Sequence, residues 1–277
     1  MRIRARVTVP LLMAIAGPAC GGDAITDPPG VVFGEPGFVV VVNPVINDAN
    51  QVTVPLPGSA RAGVTLSVAG GPSAVTDAGG VAVLVPVTAG SKQVTASGAG
   101  AGGQVTVNLG AEEFRELALS VTGSAVTMMA NVDHDFEGEI VQVTPSTSIS
   151  EVNAALARSD VIVFLRSGSY TGNLTFSGSR VTLFGEGPAG GSVVLNGNVT
   201  VSGSDNRVRG ARITGSLSVP GSNFSLSFSR VDGTSLVSGS NSTLLNNTFC
   251  GSVTIPGSGS RLLGNAGLAP IPQPTSC

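Results

Sequence analysis

The residues best spaced for chemistry form one short run, Asp133-His134-Asp135-Phe136-Glu137-Gly138-Glu139. Oxygen-bearing side chains at alternate positions, followed by a glycine, match the first half of a calcium loop, where every second side chain curls around the ion. A bidentate glutamate would complete such a loop at its twelfth position, but Thr144 stands there. Asp133, Asp135 and Glu137 are therefore candidate ligands for a weak calcium site, with a Kd on the order of 10⁻⁴ to 10⁻³ M, and the reading set above it is a solvated acidic connector. His134 is the only histidine, so any Ser-His-acid or Cys-His mechanism would need it. No Gly-x-Ser-x-Gly turn offers a nucleophile, and one histidine without paired cysteines cannot close a zinc site. The sequence thus names no catalytic residue.

A second constellation lies further on. Arg212 and Arg230 stand 18 residues apart at equivalent places in a repeat, with Asp232 two residues beyond Arg230 on the same face. Stacked, they would make a basic stripe able to hold a carboxylate or sulfate, or else plain solvated charge. Of the three cysteines, Cys20 follows Arg2, Arg4, Arg6 and an apolar run from Val7 to Ala16. That start is a secretory signal too short to span a membrane. Cys250 and Cys277 remain for a disulfide in a compartment that permits one.

The element that must position these residues is a repeat. GNLTFSGS, GNVTVSGS, GSLSVPGS, GTSLVSGS and GSVTIPGS start at Gly172, Gly197, Gly215, Gly233 and Gly251, and their Gly-Ser pairs are 25, 18, 18 and 18 residues apart. A fixed period of this kind marks a solenoid. Aligned on Gly-Ser, the copies sort into apolar columns: Phe176, Val201, Val219, Val237, Ile255; Leu174, Val199, Leu217, Ser235, Val253; Leu183, Val208, Leu226, Leu244, Leu262; and Tyr170, Leu195, Ile213, Val231, Phe249. At the strand spacing of ~4.8 Å, five coils give a rod about 24 Å long with an apolar lumen. Arg180, Asp205, Asn223, Asn241 and Gly259 fall where each coil turns, a place for positive φ.

These columns, with the lead-in SISEVNAALARSDVIVFLRSGSYTGNLTFSGSRVTLFGEG, resemble right-handed parallel β-helix proteins of the pectate-lyase-like superfamily. The resemblance covers about the last 130 residues. It implies an N-terminal capping helix, whose start is the capping-box pair Ser148 and Glu151 and whose apolar face is Ile149, Val152, Ala155 and Leu156. Apolar steps of 6, 7 and 5 residues around each coil favour this fold over a left-handed hexapeptide helix. Relatives on this scaffold include polysaccharide lyases and glycosidases, but no two acids share a column in neighbouring coils as a lyase calcium site or a two-carboxylate hydrolase requires.

Upstream, GFVVVVN, NQVTVPL, GVTLSVAG, GVAVLVPV, KQVTASG, QVTVNLG and LALSVTG read as seven short strands of a β-sandwich. AVTDAGGVAVLVPVTAGSKQVTAS resembles carboxypeptidase-regulatory or bacterial immunoglobulin-like modules, which implies a spacer or adhesion unit. Ala19-Cys20-Gly21-Gly22 resembles a bacterial lipoprotein processing site, which implies lipidation of Cys20. The expected order is a signal at 1–20, a tether at 21–36, a sandwich at 37–123, a connector at 124–147, a β-helix with its capping helix at 148–269 and a tail at 270–277.

Thirty-nine glycines and 11% charged residues fit an all-β chain rich in turns, and a net charge of −3 gives no signal for nucleic acid. The expectation is a non-catalytic, lipid-anchored envelope protein, periplasmic or surface-exposed, that displays a β-helix for polysaccharide or another surface component. The alternatives are a minimal polysaccharide lyase or hydrolase and a self-stacking structural β-helix.

Overall fold

The computed structural model describes residues 33–47, 61–136, 138–186, 192–269, 271–275 and 277. The signal segment, Cys20, most of the tether and Glu137 lie outside the described residues. Among the described residues the protein is all-β apart from one helix: a sandwich of two four-stranded sheets leads into a β-helix built of parallel sheets.

The sandwich strands are β1 (Gly37–Val42), β2 (Thr65–Val68), β3 (Ser73–Val75), β4 (Val81–Leu84), β5 (Gly90–Gly98), β6 (Ala101–Leu109), β7 (Glu113–Thr122) and β8 (Ala125–Asp135). They form the sheets β4-β1-β7-β8 and β3-β2-β5-β6, antiparallel except for the β1–β7 pair. Between the sheets Phe38, Val40 and Val42 meet Leu66, Val94, Val107, Leu117 and Leu119. All of β1 is buried, however, and Val39 and Val41 point away from this core into another. An unbroken apolar strand of this sort is the mark of burial on both faces.

The expected connector divides in two. Its first half is β8, paired with β7 along its length from Thr122↔Ala125 to Glu113↔Asp135. Alternation explains this: Ala130, Val132, His134 and Phe136 are buried while Asn131 and Asp135 are exposed. Its second half supplies β9 (Glu139–Val143), the first strand of the β-helix.

Three parallel sheets make the walls of the solenoid. The first runs from β9 through Val161–Leu165, Thr182–Gly185, Arg207–Arg209, Ser225–Ser227 and Thr243–Leu245 to Arg261–Leu263. The second stacks Gly168–Thr171, Val193–Asn196, Arg212–Ile213, Arg230–Val231 and Thr248–Phe249; the third stacks Leu174–Phe176, Val199–Val201, Leu217–Val219, Ser235–Val237 and Val253–Thr254. The register is the one the columns predict, with Leu183↔Val208↔Leu226↔Leu244↔Leu262 and Tyr170↔Leu195↔Ile213↔Val231↔Phe249 in line. These side chains fill the lumen. Each fully buried Val, Leu or Phe contributes roughly 1.5–3 kcal/mol.

The coils lie so close that the repeat glycines have no room for a side chain. A Cβ on Gly203, Gly221, Gly239 or Gly257 would strike the carbonyl oxygen of the glycine one coil earlier, and the same holds for Gly197, Gly215, Gly233 and Gly251. The expected corner residues Arg180, Asp205, Asn223 and Asn241 have φ of 56°, 59°, 56° and 58°, and a second corner follows at Gly210, Phe228, Asn246 and Gly264.

The helix α1 (Ile149–Leu156) closes the first end, capped as read: Glu151 N–H donates to Ser148 Oγ at 3.3 Å and Ser148 N–H to Glu151 Oε2 at 3.0 Å. Asn153 then satisfies the edge below, donating to Asn173 O at 3.0 Å and accepting from Thr175 N–H at 2.9 Å. Among the described residues no helix is long and apolar enough to cross a membrane.

Candidate ligand-binding face

A solenoid offers ligands its outer walls, so the first question is which walls remain open. The first is closed, because the β4-β1-β7-β8 sheet lies on it. Val39, Val41, Phe114, Ala118, Ala130 and Phe136 of the sandwich share a core with Ile162, Phe164, Phe184, Phe228, Leu245 and Leu263 of the β-helix. Phe33 stacks on Phe164 at 4.3 Å within it.

Inside that joint sit groups with catalytic potential. Arg209, on the outward side of its strand, donates through Nε to Glu116 Oε1 at 2.6 Å, and both side chains are buried. Its guanidinium also lies over Phe114, Phe184 and Phe228, at 5.4, 5.0 and 5.4 Å from the ring centres. Such cation–π contacts are worth more out of water. His134 Nε2 stands 3.1 Å from Glu116 Oε2 but outside hydrogen-bond alignment, and Ser227 Oγ likewise has no aligned partner. The Arg209–Glu116 bond is the firm part of the cluster. Burial opposes the charge on Glu116, yet His134, Arg209 and the nearby Ser227 hydroxyl outweigh it and bring the carboxyl down to about 2. Ser227, His134 and Glu116 have the residue types of a hydrolytic triad, but their exposures of 1%, 0% and 0% keep substrate out. This cluster holds two domains together.

Asp133 lies at the rim of the same joint. Arg207 binds it, Nη2 to Oδ1 at 2.5 Å, and against the effect of burial keeps its carboxyl below the usual range. Asp133 and Asp135 belong to a paired strand with His134 turned into the joint between them. Glu137, the third expected calcium ligand, lies outside the described residues. Among the described residues no cluster of three or more His, Cys, Asp or Glu side chains is placed to hold a metal.

The second wall carries the arginine stripe. Arg212 and Arg230 are register partners on adjacent strands, and both reach Asp232: Arg212 Nη2 is 2.8 Å from Oδ2 and Arg230 Nε 2.5 Å from Oδ1. Burial would raise the Asp232 carboxyl, but the two guanidinium groups bring it below its ordinary value. Asp232 is thus shared by the two guanidinium groups, and the Arg212 side chain is 41% exposed. The third wall is uncharged. Its outward column is Thr175, Thr200, Ser218, Leu236 and Thr254, beside Asn173, Asn198, Ser216 and Thr234, whose amides and hydroxyls bridge neighbouring coils. Other solenoid charges pair locally: Arg166 with Glu186 at 3.0 Å, Arg180 with Asp160, and Arg158 with Glu139.

Cys250 and Cys277 are joined in a disulfide, Cα to Cα 5.3 Å. It draws the tail across the far end of the solenoid, where Leu268 packs on the luminal core.

The buried joint escaped the sequence reading, although it left a signal. The column outside the luminal leucines runs Phe164, Phe184, Arg209, Ser227, Leu245 and Leu263, too apolar for a wall facing water. No protein-family model, curated protein or solved structure matches this chain.

Proposed function

We propose that this protein is a non-catalytic cell-envelope lipoprotein whose β-helix binds polysaccharide or another surface component through its second and third walls. The observation that carries this reading is the pairing of the partly exposed Arg212, Asp232 and Arg230 cluster with an adjoining wall of Ser, Thr and Asn. Guanidinium forks suit carboxylate or sulfate groups, and hydroxyl and amide columns suit sugar hydroxyls. Binding is favoured over the lyase or hydrolase alternative by the use of the acids: Asp133 holds Arg207, Asp232 holds Arg212 and Arg230, and Glu116 is sealed in the joint. Within this reading the sandwich is an immunoglobulin-like spacer, the solenoid belongs with right-handed pectate-lyase-like β-helices, and Cys20 carries the lipid.

A glycan array run beside a depolymerisation assay on polyuronides tests the function. Retention of acidic glycans without shortening of the polymer is the expected result; new chain ends would replace binding with catalysis. Labelling with a fatty acid should tag the wild type and spare Cys20→Ser, and label that persists in the variant would remove the anchor.

A further inference from the structure

The first parallel sheet has an end that is covered from outside the solenoid. Its last strand, Arg261–Leu263, has a free side, and residues 45–47, just past β1, lie along it. Ile46 pairs antiparallel with Leu263, Asn47 N–H donates to Leu262 O at 2.7 Å, and Gly264 N–H donates to Val45 O at 2.7 Å. The Asn47 side chain also ends an internal ladder. Ser229 N–H donates to Asn247 Oδ1 at 3.0 Å, Asn247 N–H to Asn265 Oδ1 at 3.0 Å, and Asn265 N–H to Asn47 Oδ1 at 2.7 Å. Asn47 Nδ2 donates onward to the carbonyls of Asn265, Leu268 and Ala269. The segment is aimed there by Asn43, which takes a φ of 48° and exchanges two hydrogen bonds with the Val121 backbone. The C-terminal tail covers other ground, pairing Ala266 with Thr248 and laying Leu268 over the lumen.

At the opposite end of this sheet β9 is the edge strand. An edge strand presents unpaired N–H and C=O groups, a template for another chain. β9 and Arg261–Leu263 run the same way in one sheet, so a second copy stacked in register would set its Val141 on Leu262 and its Ile140 on Arg261. The row through Leu262 would continue along that edge, beside the ends that α1 and the tail cover, and Arg261 would lie near Glu139, which within its own chain holds Arg158. A contact of this kind joins two different surfaces and does not close, so it propagates.

We infer that residues 45–47 are an edge guard: they occupy, within the same chain, the strand edge that would otherwise accept β9 of a second copy, and so hold back end-to-end growth. This stands apart from the polysaccharide reading, since it concerns the ends of the β-helix and not its walls.

Size-exclusion chromatography with light scattering on the full chain tests it. The wild type should be a monomer. Val45→Gly/Ile46→Gly/Asn47→Gly should shift to integer multiples of the monomer mass that grow with concentration, with the far-ultraviolet spectrum of a β protein retained. Adding Ile140→Lys, which sets a charge against Arg261 at the docking edge, should return that variant to monomer. Asn47→Ala keeps the backbone of the segment and should show the same shift at higher concentration; it decides alone if the triple change unfolds the protein. A wild type that already assembles, a folded guard variant that stays monomeric, or assembly untouched by Ile140→Lys would each overturn the inference.

Discussion

At the scale of single residues, the costliest choice in this chain is Arg209 and Glu116, two charges placed where water does not reach. Removing one partner of a buried pair leaves the other uncompensated, so Arg209→Ala should destabilise by about 3–5 kcal/mol, whereas replacing both by apolar residues of similar volume need not. Urea unfolding of the single and double variants checks this. The pair also sets an acid limit. Glu116 has its folded value depressed to about 2 from an ordinary carboxylate value. Its contribution is therefore complete above the unfolded value of about 4.3 and is lost as pH falls from there towards 2, a loss on the order of 3 kcal/mol. A stability profile between pH 6 and 2 should fall in that window, and Glu116→Gln, although less stable at neutral pH, should fall by less.

At the scale of elements, the repeat decides what may change. Leu226 faces the lumen between Val208 and Leu244, while Ser225 beside it faces outward and is half-buried. Leu226→Asp should remove well over about 4 kcal/mol and prevent folding, and Ser225→Asp should be accepted close to Arg207, its register partner. Equal yields of the two folded proteins would count against the register. Gly221→Ala should also fail despite its small volume, because the new methyl meets the Gly203 carbonyl.

These columns were legible because stacked strands demand like residues at one period, so the sequence displays each wall of the lumen directly. Caps were legible too: Ser148 and Glu151 satisfy backbone groups by local contacts that spacing reveals. The joint was harder. It depends on a sheet and a wall far apart in sequence, and its column is interrupted by Arg209 and Ser227, which look like surface until Glu116 is set opposite them. For the same reason the partner of Asp133 was hidden, since Arg207 lies 74 residues away. The unbroken apolar run of β1 was the clearest sign that the sandwich had a second buried face.

At the scale of the molecule, sandwich and β-helix share a core, a buried ion pair and the rim contacts Asp133–Arg207 and Arg261 to Met129 O at 2.8 Å. They should unfold together. Calorimetry should give one transition, and Phe184→Ala, which opens the shared core, should lower the stability of both halves at once. The Cys250–Cys277 bridge closes a loop of 27 residues at the far end, and Cys250→Ser should cost about 3–4 kcal/mol by chain entropy. Among the described residues the first wall is covered and both ends of the solenoid are occupied, so the proposed binding surface is the second and third walls. These walls are proposed to bind and not to cut. This is tested most directly by titrating polygalacturonate into wild type and Arg212→Ala/Arg230→Ala across a range of salt, while the polymer length is followed in the same samples. Salt-sensitive binding to the wild type, weaker and less salt-sensitive binding to the variant, and polymer of unchanged length in both are expected. Equal binding by the two proteins, or shortened polymer, would contradict the proposal.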